Sequence, residues 1–395
     1  MSRKNFWMEE KSTLENELIV LLKPGLKAKV VLDLLKKHGA KNISFLPLIS
    51  GVVCTGSLEK MLKSLKVQKE VLHIEENIRV KLYPVIKIKH PWGESIFKTK
   101  GGQQIIPWGT SRIGANKAWS ASQGKTVNVA VLDTGIYAKH PDLRVNVKGG
   151  VNIINSKRSF YDDNGHGTHL AGTIGAVDNG VGIIGVAPQV NLFAVKVLDK
   201  NGRGSVTDIV KGLGWCVQNK MQVVNMSFGS DHPSAALHQA VKAAAGAGIV
   251  LVAAAGNDGS KNSVDYPAAY PETIAIGGIN ERNQLFIFSS QGPEIDLVAP
   301  ATRVLSTARG GEYEKMSGTS MATAHVTGVA ALLIAHNPEK DSTRVFKRLK
   351  ATAENLKGLK PSQQGAGLVR ADYALHERHE QFDLSLASEV NQNVS

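Results

Sequence analysis

The sequence predicts an α/β protein: a doubly wound, mostly parallel sheet preceded by a small α+β domain. Two observations point to the sheet. Residues 127–132, 192–198, 223–228, 249–254 and 273–276 are near-continuous apolar runs of strand length, and helical stretches at 208–218 and 234–245 lie between them. Strands apolar on every residue are buried on both faces, which a parallel sheet under two helical layers provides. The third observation is the different pattern of the first 80 residues, where short strands and helices alternate.

In chain order, residues 17–22 read as a strand, 27–38 as a helix with Val30, Val31, Leu34 and Leu35 on one face, and 43–53 as further strand. A second helix at 57–65 and a strand at 71–76 complete a β-α-β-β-α-β order, the ferredoxin-like arrangement. Tyr83-Pro84, His90-Pro91 and Gly101-Gly102 then break all pattern, as in a linker. The expected division is an extension at 1–16, the small domain at 17–80, a cleavable linker at 81–103, the α/β domain at 104–375 and a polar tail at 376–395. A chain of 395 residues accommodates two or three domains at roughly 100–200 residues each.

The net charge of +13 raises the question of nucleic acid. Most of it falls before residue 101, with 19 Lys/Arg against 10 Asp/Glu, and there is no Arg-rich tract. The charge therefore marks a solvated, detachable domain, and no nucleic-acid partner is expected. No run approaches the ~18 apolar residues of a membrane span, and no apolar segment follows the basic start, so a cytoplasmic enzyme is expected. Cys54 and Cys216 fall in separate domains and read as small buried apolar residues.

Ligands of open α/β sheets gather beyond the carboxyl ends of strands, so polar residues there become candidates. Asp133 closes the first strand, Asn257 follows another, and His166 sits between glycines before a small-residue helix. Ser320 lies where a glycine-containing turn gives way to a long small-residue helix. Each has an ordinary alternative as a turn or cap residue. Together they fit one chemistry. A serine hydroxyl needs a base, the base needs a carboxylate to fix its tautomer, and the resulting oxyanion needs donors. His169 faces its own helix and reads as structural. With no acidic or cysteine partners at ligand spacing, the His166/His169 pair does not suggest zinc.

Asp133-Thr134-Gly135-Ile136, Asn164-Gly165-His166-Gly167-Thr168-His169 and Gly318-Thr319-Ser320-Met321-Ala322 resemble the three signature blocks of subtilisin-like serine proteases. Ala254-Ala255-Gly256-Asn257 resembles that family's oxyanion-hole segment. The similarity covers about 104–375, and 17–80 resembles the family's propeptide, an intramolecular chaperone and inhibitor. The resemblance implies a broad serine endopeptidase made as a self-processing zymogen. Ser320 would be nucleophile, His166 base then acid, Asp133 its orienter and Asn257 the oxyanion donor. Ser227, Phe228 and Gly229 would pair with the substrate backbone, with Ala254, Ala255 and Gly256 as the opposite pocket wall. Lipases and esterases, which also use such triads, place serine first in a Gly-x-Ser-x-Gly elbow absent here. A scaffold kept for binding without turnover, or an enzyme confined to a few basic sites, are the rival expectations.

The chain departs from the family pattern at two places. Asp265 stands just before Tyr266-Pro267, where a small residue is usual, and a pocket carboxylate there would accept Lys or Arg at P1. Ala324 replaces a proline usual in the first turns of the serine's helix. Residues 177–183 resemble the family's calcium loop, implying Ca²⁺ held by Val177, Asn179, Val181, Ile183, Asp142 and Gln104, a set of oxygen donors. Because Pro84 makes cutting after Tyr83 unfavourable, maturation is expected between residues 98 and 103.

Overall fold

The computed structural model describes residues 13–88, 104–337 and 341–376. The expected maturation segment 98–103, most of the 1–16 extension and the tail from 377 lie outside the described residues.

The N-terminal domain runs β1 (Thr13–Leu22), α1 (Ala28–Lys37), β2 (Lys41–Leu46), β3 (Gly51–Thr55), α2 (Leu58–Leu65) and β4 (Val71–Leu82). The strand region expected over 43–53 is divided into β2 and β3 by a 3-10 turn at Pro47–Ile49; proline has no N–H to give a ladder. The antiparallel order is β2-β3-β1-β4. β1 is apolar on successive residues because both its faces are covered. Leu18, Val20 and Leu22 pack with Val31, Leu35, Met61 and Leu65 of the domain's own helices. Ile19 and Leu21 join a core that includes Ile209, Leu213, Leu237 and Val241 of the second domain.

After two short helices, α3 (Trp108–Arg112) and α4 (Ala115–Ala118), the second domain unfolds as β6 (Asn128–Asp133), β7 (Val147–Asn152), α5 (His166–Gly175), β8 (Asn191–Lys196), β9 (Arg203–Ser205) and α6 (Val206–Gln218). It continues with β10 (Val223–Met226), β11 (Phe228–Gly229), α7 (Ala235–Gly246), β12 (Val250–Ala254), β13 (Ile274–Ile279) and β14 (Leu297–Pro300). β15 (Val304–Thr307), β16 (Tyr313–Ser317), α8 (Thr319–His336) and α9 (Ser342–Ala351) follow. Seven strands form one parallel sheet in the order β14-β13-β12-β10-β6-β8-β7. The sequence hides its two edges. β7 carries Gly149 and Gly150, and β14 is four residues ending in proline, both poor strand signals.

α8 packs against β10, β12, β13, β14 and α5. It is long and apolar enough to cross a membrane by length and composition, but Thr319 to Ile334 are buried in the protein. It is the core helix of the sheet's inner layer. Gly328 lets it approach the segment after α5: a Cβ there would stand 2.5 Å from Val186 Cβ. Gly328→Ala is therefore expected to lower stability by about 2 kcal/mol, roughly 4–8 °C in midpoint, from overpacking. Calorimetry showing an unchanged or raised midpoint would contradict this packing.

Candidate active site

β6 ends on Asp133 and, after β7, α5 begins on His166, so a carboxylate and an imidazole meet at the carboxyl edge of the sheet. His166 Nδ1 lies 2.9 Å from Asp133 Oδ1 and 3.0 Å from Oδ2, with both side chains buried. A Cβ on Gly167 would overlap the carbonyl oxygen of Gly135, so the helix start reaches the strand end only with glycine there.

Two residues the sequence reading did not single out frame this pair. Buried Asp162 accepts from Asn164 N (3.0 Å), Gly165 N (2.8 Å), Thr168 N (3.0 Å) and Thr168 Oγ1 (2.6 Å). The Thr134 hydroxyl lies between Asp162 Oδ1 and Asp133 Oδ1, at 2.9 and 3.2 Å. Buried Lys196 donates from Nζ to Thr134 O (2.6 Å), Leu198 O (3.0 Å) and Asp163 Oδ1 (2.7 Å). An acid four residues before a Gly-flanked histidine was the legible signal for Asp162. A lysine in an otherwise apolar strand was the one for Lys196.

Ser320 is the second residue of α8, and α8 packs against α5, which carries His166. Its hydroxyl lies 3.4 Å from Ser227 O, while His166 Nε2 is buried without a hydrogen-bond partner. The serine–imidazole bond that the chemistry implies is thus not formed in this state. Behind Ser320, Asn225 Nδ2 donates to Ser227 Oγ (2.9 Å) and accepts at Oδ1 from Thr327 Oγ1 (3.0 Å). Ala324 leaves α8 unbroken.

Asn257 is oriented by Thr319, whose N–H and hydroxyl reach Asn257 Oδ1 at 3.0 and 2.9 Å. Its Nδ2 is then aimed at the cleft and donates to Pro84 O at 2.9 Å. The linker expected at 81–103 is corrected here, for its first part is paired backbone. β4 runs on to Leu82 and lies between β9 and β11, with Lys81 opposite Gly229 and Leu82 opposite Phe228. Beyond Pro84, β5 (Ile86–Ile88) pairs with β16. The chain's own segment 79–88 therefore threads the whole cleft. The lysines and the Tyr-Pro step masked a strand whose partners come from elsewhere in the chain.

Tyr83 fills the pocket between Gly229 and Ala254. It is buried, donates to Ala254 O at 3.2 Å, and would overlap a Cβ placed on Gly229. Asp265 faces this pocket: its Cβ would lie 3.0 Å from that same Gly229 Cβ, its Oδ2 3.2 Å from one on Gly256, and its carboxyl shares a hydrogen bond with the Tyr83 hydroxyl. Its backbone N–H holds Ala255 O at 3.0 Å. Burial, with the charges of Asp258 and Asp231 added, pushes the Asp265 carboxyl up to about 7. Burial also raises Asp258, with Asp231 adding to it.

At the far side of β7 and α5, Gln104 Nε2 meets Val177 O (2.7 Å), Ile183 O (2.8 Å) and Asn179 Oδ1 (3.4 Å). Asp142 receives Asn179 Nδ2 (3.1 Å), Ile183 N (3.0 Å) and Tyr313 Oη (2.7 Å). Val181 joins the loop through its N–H to Asn179 Oδ1 (3.0 Å). The oxygens of Val177, Ile183 and Asn179 here meet Gln104 Nε2, and the Asp142 carboxylate accepts from three donors; an all-oxygen set of this kind is the donor chemistry that suits a hard cation such as Ca²⁺. Among the described residues no three His, Cys, Asp or Glu side chains cluster so as to hold a metal by themselves. His169 is structural: burial pushes it down to about 3, and Nε2 lies 3.0 Å from Val304 O. Cys54 and Cys216 are free and buried.

The sequence profile described as the Subtilase family matches residues 124–367. The chain is 43% identical over 317 residues to a thermostable alkaline protease of Halalkalibacterium halodurans, covering 80% of this chain and 81% of that one. It is 40% identical over 354 residues to subtilisin E of Bacillus subtilis, covering 88% and 87%. To subtilisin BL of Lederbergia lenta it is 46% identical over 272 residues, covering 69% and 99%. The cytoplasmic expectation is overturned by these relatives, because subtilisins are secreted extracellular enzymes. With site, fold and relatives in agreement, the chain belongs to the subtilase family and is a subtilisin-like serine endopeptidase.

Proposed function

We propose that this endopeptidase is a self-processing zymogen whose triad is Ser320, His166 and Asp133. The observation that carries the reading is the buried Asp133 carboxylate, both of whose oxygens lie within 3.0 Å of His166 Nδ1, which leaves Nε2 as the ring's one free basic atom. Serine side chains interconvert between staggered rotamers, and turning Oγ from Ser227 O toward that nitrogen sets up proton transfer. The Ser320 oxygen attacks the substrate carbonyl carbon as its proton passes to Nε2. The ring, now a cation steadied by Asp133, returns the proton to the leaving amine. Water then repeats the cycle on the acyl group. Asn257 Nδ2 and the Ser320 N–H stabilise the oxyanion. Support for the Asn257 role is its aim: it already holds a carbonyl oxygen of the cleft segment.

Residues 17–80 act as inhibitor and folding partner, and the bound 79–88 segment is the substrate mimic. A peptide added antiparallel to β11 is read by its main chain, so substrates are broad in sequence. Within that breadth Asp265 favours Lys or Arg at P1. Gln104 by its amide oxygen, Asp142, Asn179 and the carbonyls of Val177, Val181 and Ile183 hold Ca²⁺, which ties residue 104 to the 177–183 loop and supplies stability, not chemistry.

Four outcomes test these readings. Mass spectrometry of the purified wild type is expected to show a new N-terminus within 98–103, absent in Ser320→Ala; an uncut wild type, or a cut Ser320→Ala, would contradict self-processing. Asn257→Ala is expected to lower kcat by about 10²–10³ with little change in KM. Matched peptides are expected to be cut faster with Lys than with Phe at P1 in wild type, and not in Asp265→Asn; a Lys value below a hundredth of the Phe value ends the basic preference. Chelation by EGTA is expected to lower the thermal midpoint of the wild type and to leave that of Asp142→Asn unchanged, and equal shifts in both would remove the calcium assignment.

A further inference from the structure

Two asparagines near Ser320 are held by the same device. Thr319, Thr323 and Thr327 recur every four residues along α8, and all three are buried. Thr323 bonds back to its own helix at Thr319 O, 2.9 Å away. The other two reach across to side-chain oxygens: Thr319 to Asn257 Oδ1 at 2.9 Å and Thr327 to Asn225 Oδ1 at 3.0 Å. An amide whose oxygen is taken by a donor presents its nitrogen on the other side. Asn257 Nδ2 thereby faces the cleft, where it meets Pro84 O, and Asn225 Nδ2 faces Ser227 Oγ at 2.9 Å. Asn225 stands in β10 among Val223, Val224 and Met226, fully buried. An amide in such a place is costly unless it is hydrogen-bonded, and an apolar residue would fill the strand without that cost.

Ser227 and Ser320 face one another reciprocally. Ser320 Oγ rests 3.4 Å from Ser227 O, and Ser227 Oγ lies 3.4 Å from Ser320 O. Because Asn225 Nδ2 already donates to the Ser227 oxygen, the Ser227 proton is left to point at Ser320 O. Resting on the reading of Ser320 as nucleophile, we propose that Thr327, Asn225 and Ser227 form a positioning chain that holds the Ser320 backbone while its hydroxyl turns from Ser227 O to His166 Nε2. That turn breaks one contact of the reciprocal pair and leaves the other. The remaining bond is long, so its direction depends on the residues behind it. Without a donor at position 327 the Asn225 amide is free to turn over. Its oxygen then takes the Ser227 proton, and Ser320 O loses its contact with Ser227. Thr327 and Asn225 thus act through Ser227, not on the substrate. The nucleophile and the oxyanion donor are both set by threonines of one helix, each through an asparagine oxygen.

The test reads peptide hydrolysis by the enzyme matured from the full chain, at one temperature well below the unfolding midpoint of every variant. Thr327→Val, which keeps the shape and lacks the donor, is expected to lower kcat about tenfold with KM held within about twofold. Thr327→Ser restores the hydroxyl and is expected to bring kcat back to within about twofold of wild type. Ser227→Ala cuts the chain at its last member and is expected to match Thr327→Val. The double variant is then no slower than Ser227→Ala, because residues that act in series do not add. Gly328→Ala, destabilised through packing at the next residue of the same helix, is expected to keep its kcat. An unchanged kcat in Thr327→Val, no recovery in Thr327→Ser, a double variant slower by the product of the singles, or an equal loss in Gly328→Ala overturns the proposal. Peptidase activity kept in Ser320→Ala would sink the nucleophile reading itself; an inactive Ser320→Ala beside an unaltered Thr327→Val would sink the chain alone.

Discussion

The hydrogen bond between the Asp133 carboxylate and His166 Nδ1 is the constraint on which the rest of this structure converges. A buried anion is costly unless it is paired and hydrogen-bonded, and Asp133 is fully buried. Its cost is offset by the imidazole, by the Thr134 N–H at 2.8 Å and by the Thr134 hydroxyl. Those partners are themselves fixed from behind. Asp162 gathers the N–H groups of the turn that leads into α5, and Lys196 grips the carbonyls on either side. The result is a network in which each buried charge has a partner, and the ring has one orientation.

A second consequence of the same architecture is that the cleft is a gap between strands. β9 and β11 leave room for one extended chain, and the N-terminal domain fills it by lengthening its own strand β4. One antiparallel sheet therefore spans both domains. Glu75 adds to the attachment: its carboxylate receives Ser234 Oγ (2.6 Å), Ala235 N (2.9 Å) and Ala236 N (3.1 Å) at the start of α7, where a negative charge is favoured. The N-terminal domain thus occupies the gap by backbone pairing, with Leu82 and Lys81 opposite Phe228 and Gly229.

Most of the sheet was legible because its central strands are apolar on successive residues; Asp133 and Asn257 stand just where two of those strands end, while His166 and Ser320 open small-residue helices. The edges were not, since Gly149-Gly150 and Pro300 are the residues a strand reading discards. Nor was the fate of residues 81–88. Their charges and the Tyr83-Pro84 step describe a linker locally, and only partners more than a hundred residues away make them strand. Asp265 shows the same limit: its chemistry was readable, but its direction depends on the turn that bonds Asp265 N to Ala255 O. Lys196 was missed because its burial depends on three acceptors brought in by tertiary contact.

The central claim, that a buried carboxylate fixes the tautomer and direction of His166, is tested most directly by proton NMR of the catalytic ring. The account predicts a far-downfield Nδ1 proton, protected from solvent exchange and bonded to His166 nitrogen, that disappears in Asp133→Asn. A His166 ring that carries its proton on Nε2, or an Nδ1 proton exchanging freely with water, would contradict it.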